Sequence, residues 1–127
     1  MPPATALRRI ARAALARDAS VTIRFVDGRE ARVLNRRYRG RDRATNILTF
    51  VYDDGVSLAG DIVLCVPVVV QEARAQRKTV RAHYAHLVIH GMLHLQGYDH
   101  ERDVDAARME AREVDVLRRL GYANPYA

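Results

Sequence analysis

The stretch HGMLHLQGYDH, His90 to His100, holds three of the five histidines in the chain, separated by four and then six positions. On a helix, residues one turn apart share a face with about 5–6 Å between Cβ atoms. Imidazoles at His90 and His94 can therefore converge on one Zn²⁺ at about 2.0–2.1 Å per bond. Gly97 ends such a helix and lets the chain turn, so that His100 swings back over the same face. Three histidine ligands leave one position of a tetrahedral zinc open to water, as in catalytic rather than structural sites. Asp99 is placed to act behind the ligands, as an acceptor that orients a ring. His83 and His86 extend the stripe upstream without a comparable third ligand. They are expected either as buried, hydrogen-bonded residues or as residues acting behind the metal ligands, because each imidazole carries two polar nitrogens.

The same residues fit most of another frame. Metzincin proteases carry H-E-x-x-H-x-x-G-x-x-H, and all three histidines and the glycine coincide here, with Gly91 where the protease has its general-base glutamate. Without that carboxylate, a metal-bound water has no built-in proton acceptor for peptide hydrolysis. A metalloprotease is thus one alternative reading, and a non-catalytic module with structural zinc is another.

The elements that must position these residues can be read from periodicity. Leu7, Ile10, Ala11, Ala14 and Leu15 mark a helix over residues 4–17, and VTIRFVD (Val21 to Asp27) alternates as a strand. Ala31, Leu34, Asn35 and Tyr38 share the face of a second helix, residues 29–38, stopped at Gly40. TNILTFVYD (Thr45 to Asp53) and GDIVLCV (Gly60 to Val66) read as further strands. Pro67 suits the first turn of a helix over residues 68–76, and Thr79 caps one running to Leu95. That last helix is apolar nearly all round, which marks it as buried on most sides. A final helix over residues 103–120 shows Val104, Ala107, Ala111, Val114 and Leu117 at helical spacing. The expected fold is α+β. It comprises a small mixed sheet of three or four strands with about five helices, one central and buried and carrying the metal-ligand histidines, in a single domain over residues 1–127.

Composition narrows the function classes. The chain has 49% hydrophobic and 28% charged residues, which suits a globular domain. It has no apolar run long enough to span a membrane, and the first residues read as a helix rather than a secretory signal. The single cysteine, Cys65, lies in an apolar run and reads as a small core residue. One cysteine forms no internal disulfide, which points to a reducing cytoplasm. The formal charge of +6 is uneven: residues 1–43 hold twelve basic and four acidic side chains, the remainder nine and eleven. Such a first third would attract a polyanion such as RNA through salt-sensitive contacts. Twenty of the 21 basic residues are Arg, so a compositional bias accounts for part of that charge.

With the surrounding blocks, H-G-x-L-H-L-x-G-Y-D-H resembles the signature of the YbeY-type rRNA maturation factors, bacterial zinc-dependent endoribonucleases. LNRRYRGRDRATNILTF (Leu34 to Phe50), AGDIVLC (Ala59 to Cys65) and LGYANPY (Leu120 to Tyr126) resemble further blocks of that family. The resemblance implies one zinc per chain held by His90, His94 and His100. It also implies a catalytic Arg39 and an Asp61 that contacts a ribosomal protein. The implied activity is cleavage of single-stranded RNA in maturation of the small-subunit rRNA 3′ end and in ribosome quality control, in the cytoplasm. The expected partners are ribosomal RNA and the small ribosomal subunit, with neither membrane nor DNA, and a monomeric chain. Arg39 also stands on its own chemistry, because a guanidinium fork offers a phosphate two parallel bonds. Ala44, Thr49 and Val51 depart from the family's Pro, Ser and Pro, and the connection over residues 52–59 is short, which bears on the shape of the substrate groove.

Overall fold

The computed structural model describes residues 1–52, 55 and 57–127. Helix α1 (Ala4–Ala13) buries Leu7, Ile10 and Ala11, as the apolar spacing requires. It stops short of residue 17 because a side chain closes its end. Gln96 accepts from the Ala16 N–H and donates to the Ala14 carbonyl, satisfying backbone groups that a further turn would have used. Strand β1 (Ala19–Val26) leads to α2 (Gly28–Arg39). Asp27 caps α2 by accepting from the Glu30 N–H at 2.8 Å, and Gly40 ends it at φ +69°. Strand β3 (Leu58–Cys65) follows β2 (Ile47–Val51) and runs directly into α3 (Val66–Ala75), with Pro67 in its first turn. Helices α4 (Val80–Leu95) and α5 (Asp103–Arg119) complete the order.

The three strands form one sheet in the order β1-β3-β2, with β1 parallel and β2 antiparallel to β3. Strand β2 is shorter than the pattern over residues 45–53 suggests. The Asn46 carbonyl still accepts the Cys65 N–H at 2.9 Å, while its side-chain amide donates to Glu72 on α3 at 3.0 Å; Asp53 lies outside the described residues. The pleat of β3 sorts the core into two layers. Ile62 and Leu64 pack with α1, α4 and α5, whereas Val63 and Cys65 pack with Ala31 and Leu34 of α2 and with Val26 and Leu48.

Helix α4 is the hub, in contact with α1, α3, α5 and two strands. Thr79 caps it, accepting from the Ala82 N–H at 3.1 Å. Gly91 lets it lie close on the sheet. A Cβ there would meet Ile47 Cδ1 at 3.0 Å, Ile62 Cδ1 at 3.2 Å and Thr49 Cγ2 at 3.3 Å. Gly97, at φ +98°, turns the chain after the helix.

One helix face differs from expectation. On α5 the buried residues are Met109, Glu113, Val116 and Leu117; Ala107 and Ala111 are exposed, and Val104 is 66% exposed. The true inward stripe contains a carboxylate, so choosing apolar positions alone rotated the face. Among the described residues no helix is long and apolar enough to cross a membrane.

Candidate active site

Two residues of α4 and the loop after it bring the histidines together. His90, His94 and His100 line one cleft of about 380 Å³, with Thr45, Asn46, Ile47 and Thr49 from the β2 side and Arg39 from the end of α2. The ring centroids of His90 and His100 are 5.4 Å apart, and those of His94 and His100 are 6.2 Å apart. Two imidazoles bound through Nε2 at about 2.0–2.1 Å and a tetrahedral angle place their centroids about 5 Å apart. The trio is thus near that spacing without having closed to it. Among the described residues, no three His, Cys, Asp or Glu side chains are gathered as a finished metal cage.

The outer nitrogens show which atoms face the cleft. His94 Nδ1 lies 3.1 Å from the Tyr98 carbonyl oxygen, which can only accept, so Nδ1 carries the proton and Nε2 keeps its lone pair. Burial holds His94 below the usual imidazole range, against the pull of the Tyr98 carbonyl, and His90 and His100 add to the lowering. That favours the neutral ring a metal needs. His90 Nδ1 lies 3.1 Å from Glu113 Oε2 on α5, and the same argument frees its Nε2. These donors, tied back on one side and open on the other, fit a divalent metal such as zinc.

Glu113 is the residue that sequence reasoning missed. It is fully buried, and its carboxylate also takes His86 Nε2 at 2.9 Å and the Tyr126 hydroxyl at 2.7 Å. Burial pushes its pKa up, but the bonds from His86, His90 and Tyr126 outweigh this and bring it down to about 2. The available signal was helical: Met109, Glu113, Val116, Leu117 and Leu120 share a stripe, and a carboxylate within an apolar stripe needs donors. Asp99 also lines the cleft, and against the larger lowering by burial its charge pulls the His94 pKa up. Its Oδ1 accepts from the backbone N–H of His100 at 2.7 Å, so it shapes the turn, while Glu113 and the Tyr98 carbonyl orient rings. His83 is turned away from the cleft. It is buried, with Nε2 on Glu72 at 2.9 Å, and burial lowers its pKa.

Arg39 is exposed at the last position of α2, beside Arg36 and Arg37 in the same turn. Its guanidinium has no hydrogen-bond or ion-pair partner among the described residues, although it lines the histidine cleft. Asp61 is elsewhere. It alternates with Ile62 on β3, on the sheet face opposite α4, and accepts from the half-exposed Tyr52 hydroxyl at 3.0 Å. That bond raises the Tyr52 pKa.

A family model described as Endoribonuclease YbeY matches residues 4–121. The chain belongs to the YbeY family. It is 59% identical over 126 residues to the Endoribonuclease YbeY of Aromatoleum aromaticum, covering 99% of this chain and 82% of that one. With the Nitrosomonas europaea protein of the same name it shares 56% over 126 residues, covering 99% and 77%. A solved structure from Thermotoga maritima matches with a TM-score of 0.59 at 28% identity, over 94% of this chain and 87% of that one. YbeY membership makes the chain an enzyme of an endoribonuclease family and sets the metalloprotease alternative aside. Geometry gives a reason for Gly91 in this YbeY chain: a Cβ there would meet Ile47, Ile62 and Thr49 side chains within 3.3 Å, so the helix lies too close on the sheet for a larger side chain to fit without displacement.

Proposed function

We propose that the chain is a zinc-dependent endoribonuclease that cuts single-stranded RNA in maturation of the small-subunit rRNA 3′ end and in ribosome quality control, in the cytoplasm. The observation that carries this reading is one cleft shared by three histidines and by Arg39, which has no partner among the described residues, with two rings held so that their Nε2 atoms are free. His90, His94 and His100 would hold one zinc. When bound, the metal supplies Lewis acidity to a phosphate oxygen or to a water. Arg39 binds the scissile phosphate through its fork and offsets the charge that builds on it. The Tyr98 carbonyl and Glu113 keep His94 and His90 in the tautomers that the site requires. The basic side chains of residues 1–43 draw the RNA toward the cleft. Asp61, on the far face of the sheet, is left for a ribosomal-protein contact on the small subunit.

Purified protein is expected to carry about one zinc and to cut single-stranded RNA, with loss of cleavage on chelation and recovery on adding zinc. An activity that is indifferent to chelation refutes the zinc reading. An absence of cleavage by zinc-loaded protein favours a non-catalytic assembly role.

A further inference from the structure

Of the C-terminal motif LGYANPY, the Tyr126 hydroxyl reaches Glu113 behind the cleft, and the chain is built to bring that last tyrosine home. After α5, the Tyr122 N–H bonds back to the Leu117 carbonyl and Gly121 sits at φ +90°, which ends the helix and reverses the chain. Asn124 then accepts the Tyr126 N–H on its side-chain oxygen at 2.8 Å, closing a local turn around Pro125. The outcome is a hydroxyl, thirteen residues along from Glu113, donating to Glu113 Oε1 at 2.7 Å.

A carboxylate accepts and never donates, so its partners are fixed as donors. Oε1 is occupied by Tyr126, and Oε2 is shared by His86 Nε2 and His90 Nδ1. The Tyr126 ring also meets His86 edge-on, with centroids 5.3 Å apart, and it lines a second opening of about 310 Å³ with His90, His100 and Glu113. Removing the hydroxyl leaves Oε1 of a fully buried carboxylate without its donor. The carboxylate is then free to rotate away from the ring it orients.

We propose that Tyr126 is a positioning residue of the nuclease cleft: acting through Glu113, it holds His90 with its Nε2 lone pair facing the cleft. The link to zinc rests on the reading of His90 as a ligand, whereas the link to the ring's tautomer does not. The tail thereby becomes part of the active site's construction without touching substrate.

The test uses the intact chain with Tyr126→Phe, which keeps the ring and its edge-on packing on His86 while removing the hydroxyl that meets Glu113 and lies 3.1 Å from His86 Nε2, and with Glu113→Gln. Long-range ¹H–¹⁵N correlation of the imidazoles in zinc-free protein reads the His90 tautomer directly. Competition with a chelator reads zinc affinity, and thermal melting of the zinc-free chains reads the fold. Wild type is expected to show His90 protonated at Nδ1. Tyr126→Phe is expected to shift it toward a mixture and to weaken zinc by about 10-fold, with Glu113→Gln at least as severe. His94, tied to a backbone carbonyl, should keep its tautomer in both variants. Unchanged His90 tautomer and zinc affinity in Tyr126→Phe overturn the proposal, and a lower melting temperature alone would assign Tyr126 a structural role instead. If wild type binds no zinc, the metal reading fails, and the tautomer measurement still decides the positioning role.

Discussion

Replacing Gly91 tests whether it is a glutamate lost from a protease frame or a residue required by packing. In Gly91→Ala the new Cβ would lie 3.0 Å from Ile47 Cδ1, 3.2 Å from Ile62 Cδ1 and 3.3 Å from Thr49 Cγ2. Carbon pairs prefer about 3.5–4.0 Å, so three neighbours must each give by a few tenths of an ångström. Overpacking of this kind costs about 1–3 kcal/mol. All three neighbours are side-chain ends that can shift, which favours the lower half of that range. Alanine returns up to about 1 kcal/mol of helix propensity. The net expectation is a loss of about 0–1 kcal/mol, or up to about 5 °C in melting temperature for a chain of this size. Gly91→Glu forces a longer, charged side chain into the same tight helix–sheet contact, at a cost of several kcal/mol. It should fold poorly and cleave no casein. Urea and thermal denaturation of both variants, with a casein assay on Gly91→Glu, provide the check. A Gly91→Ala chain stabilised by about 1 kcal/mol, or a well-folded Gly91→Glu chain with protease activity, would refute the reasoning.

Ala at His90, His94 or His100 should strip zinc from the purified protein, whereas His83→Ala and His86→Ala should retain it, as metal analysis will show; retention in His100→Ala with loss in His86→Ala contradicts the trio. Charge reversals at arginines before position 44 should weaken RNA association and flatten its salt dependence, while reversals at Arg112, Arg118 or Arg119 should matter less. Equal losses in binding titrations would show that the charge asymmetry steers nothing. Thr79→Ala removes the hydroxyl that accepts from Ala82 and should cost about 1 kcal/mol in denaturation, with zinc stoichiometry unchanged.

The sequence was most informative where local chemistry leaves one solution. Gly40 and Gly97 stop α2 and α4 at positive φ, and Thr79 caps α4. The apolar circumference of α4 announced its central place, and i, i+4 spacing with a turn at Gly97 brought His90, His94 and His100 to one cleft. Long-range partners were illegible because no local pattern encodes them. Glu113 reads as a surface residue until His86, His90 and Tyr126 converge on it from another helix and from the tail. Asp99 looked like a ring acceptor because it adjoins His100, but adjacency in sequence gave it the backbone N–H instead. The end of α1 depends on Gln96, some eighty residues away, which a helical wheel cannot contain. The tail after Leu120 shows no periodicity because its order comes from turns and from tertiary hydrogen bonds that join the Tyr122 hydroxyl to Arg81 and the Tyr126 hydroxyl to Glu113 and His86.

The central claim is that the histidines hold a metal while Arg39 acts on the phosphate, two roles on opposite sides of one cleft. The most direct measurement compares wild type, Arg39→Ala and Arg39→Lys for zinc content and for the rate of single-stranded RNA cleavage, with His94→Ala as the metal-deficient control. Arg39→Ala should keep its zinc and its fold and lose about 10²–10³ in rate. Arg39→Lys should recover only part of that, since an ammonium keeps the charge without the fork. An Arg39→Ala chain that cuts RNA at the wild-type rate, or one that loses its zinc, contradicts the assignment.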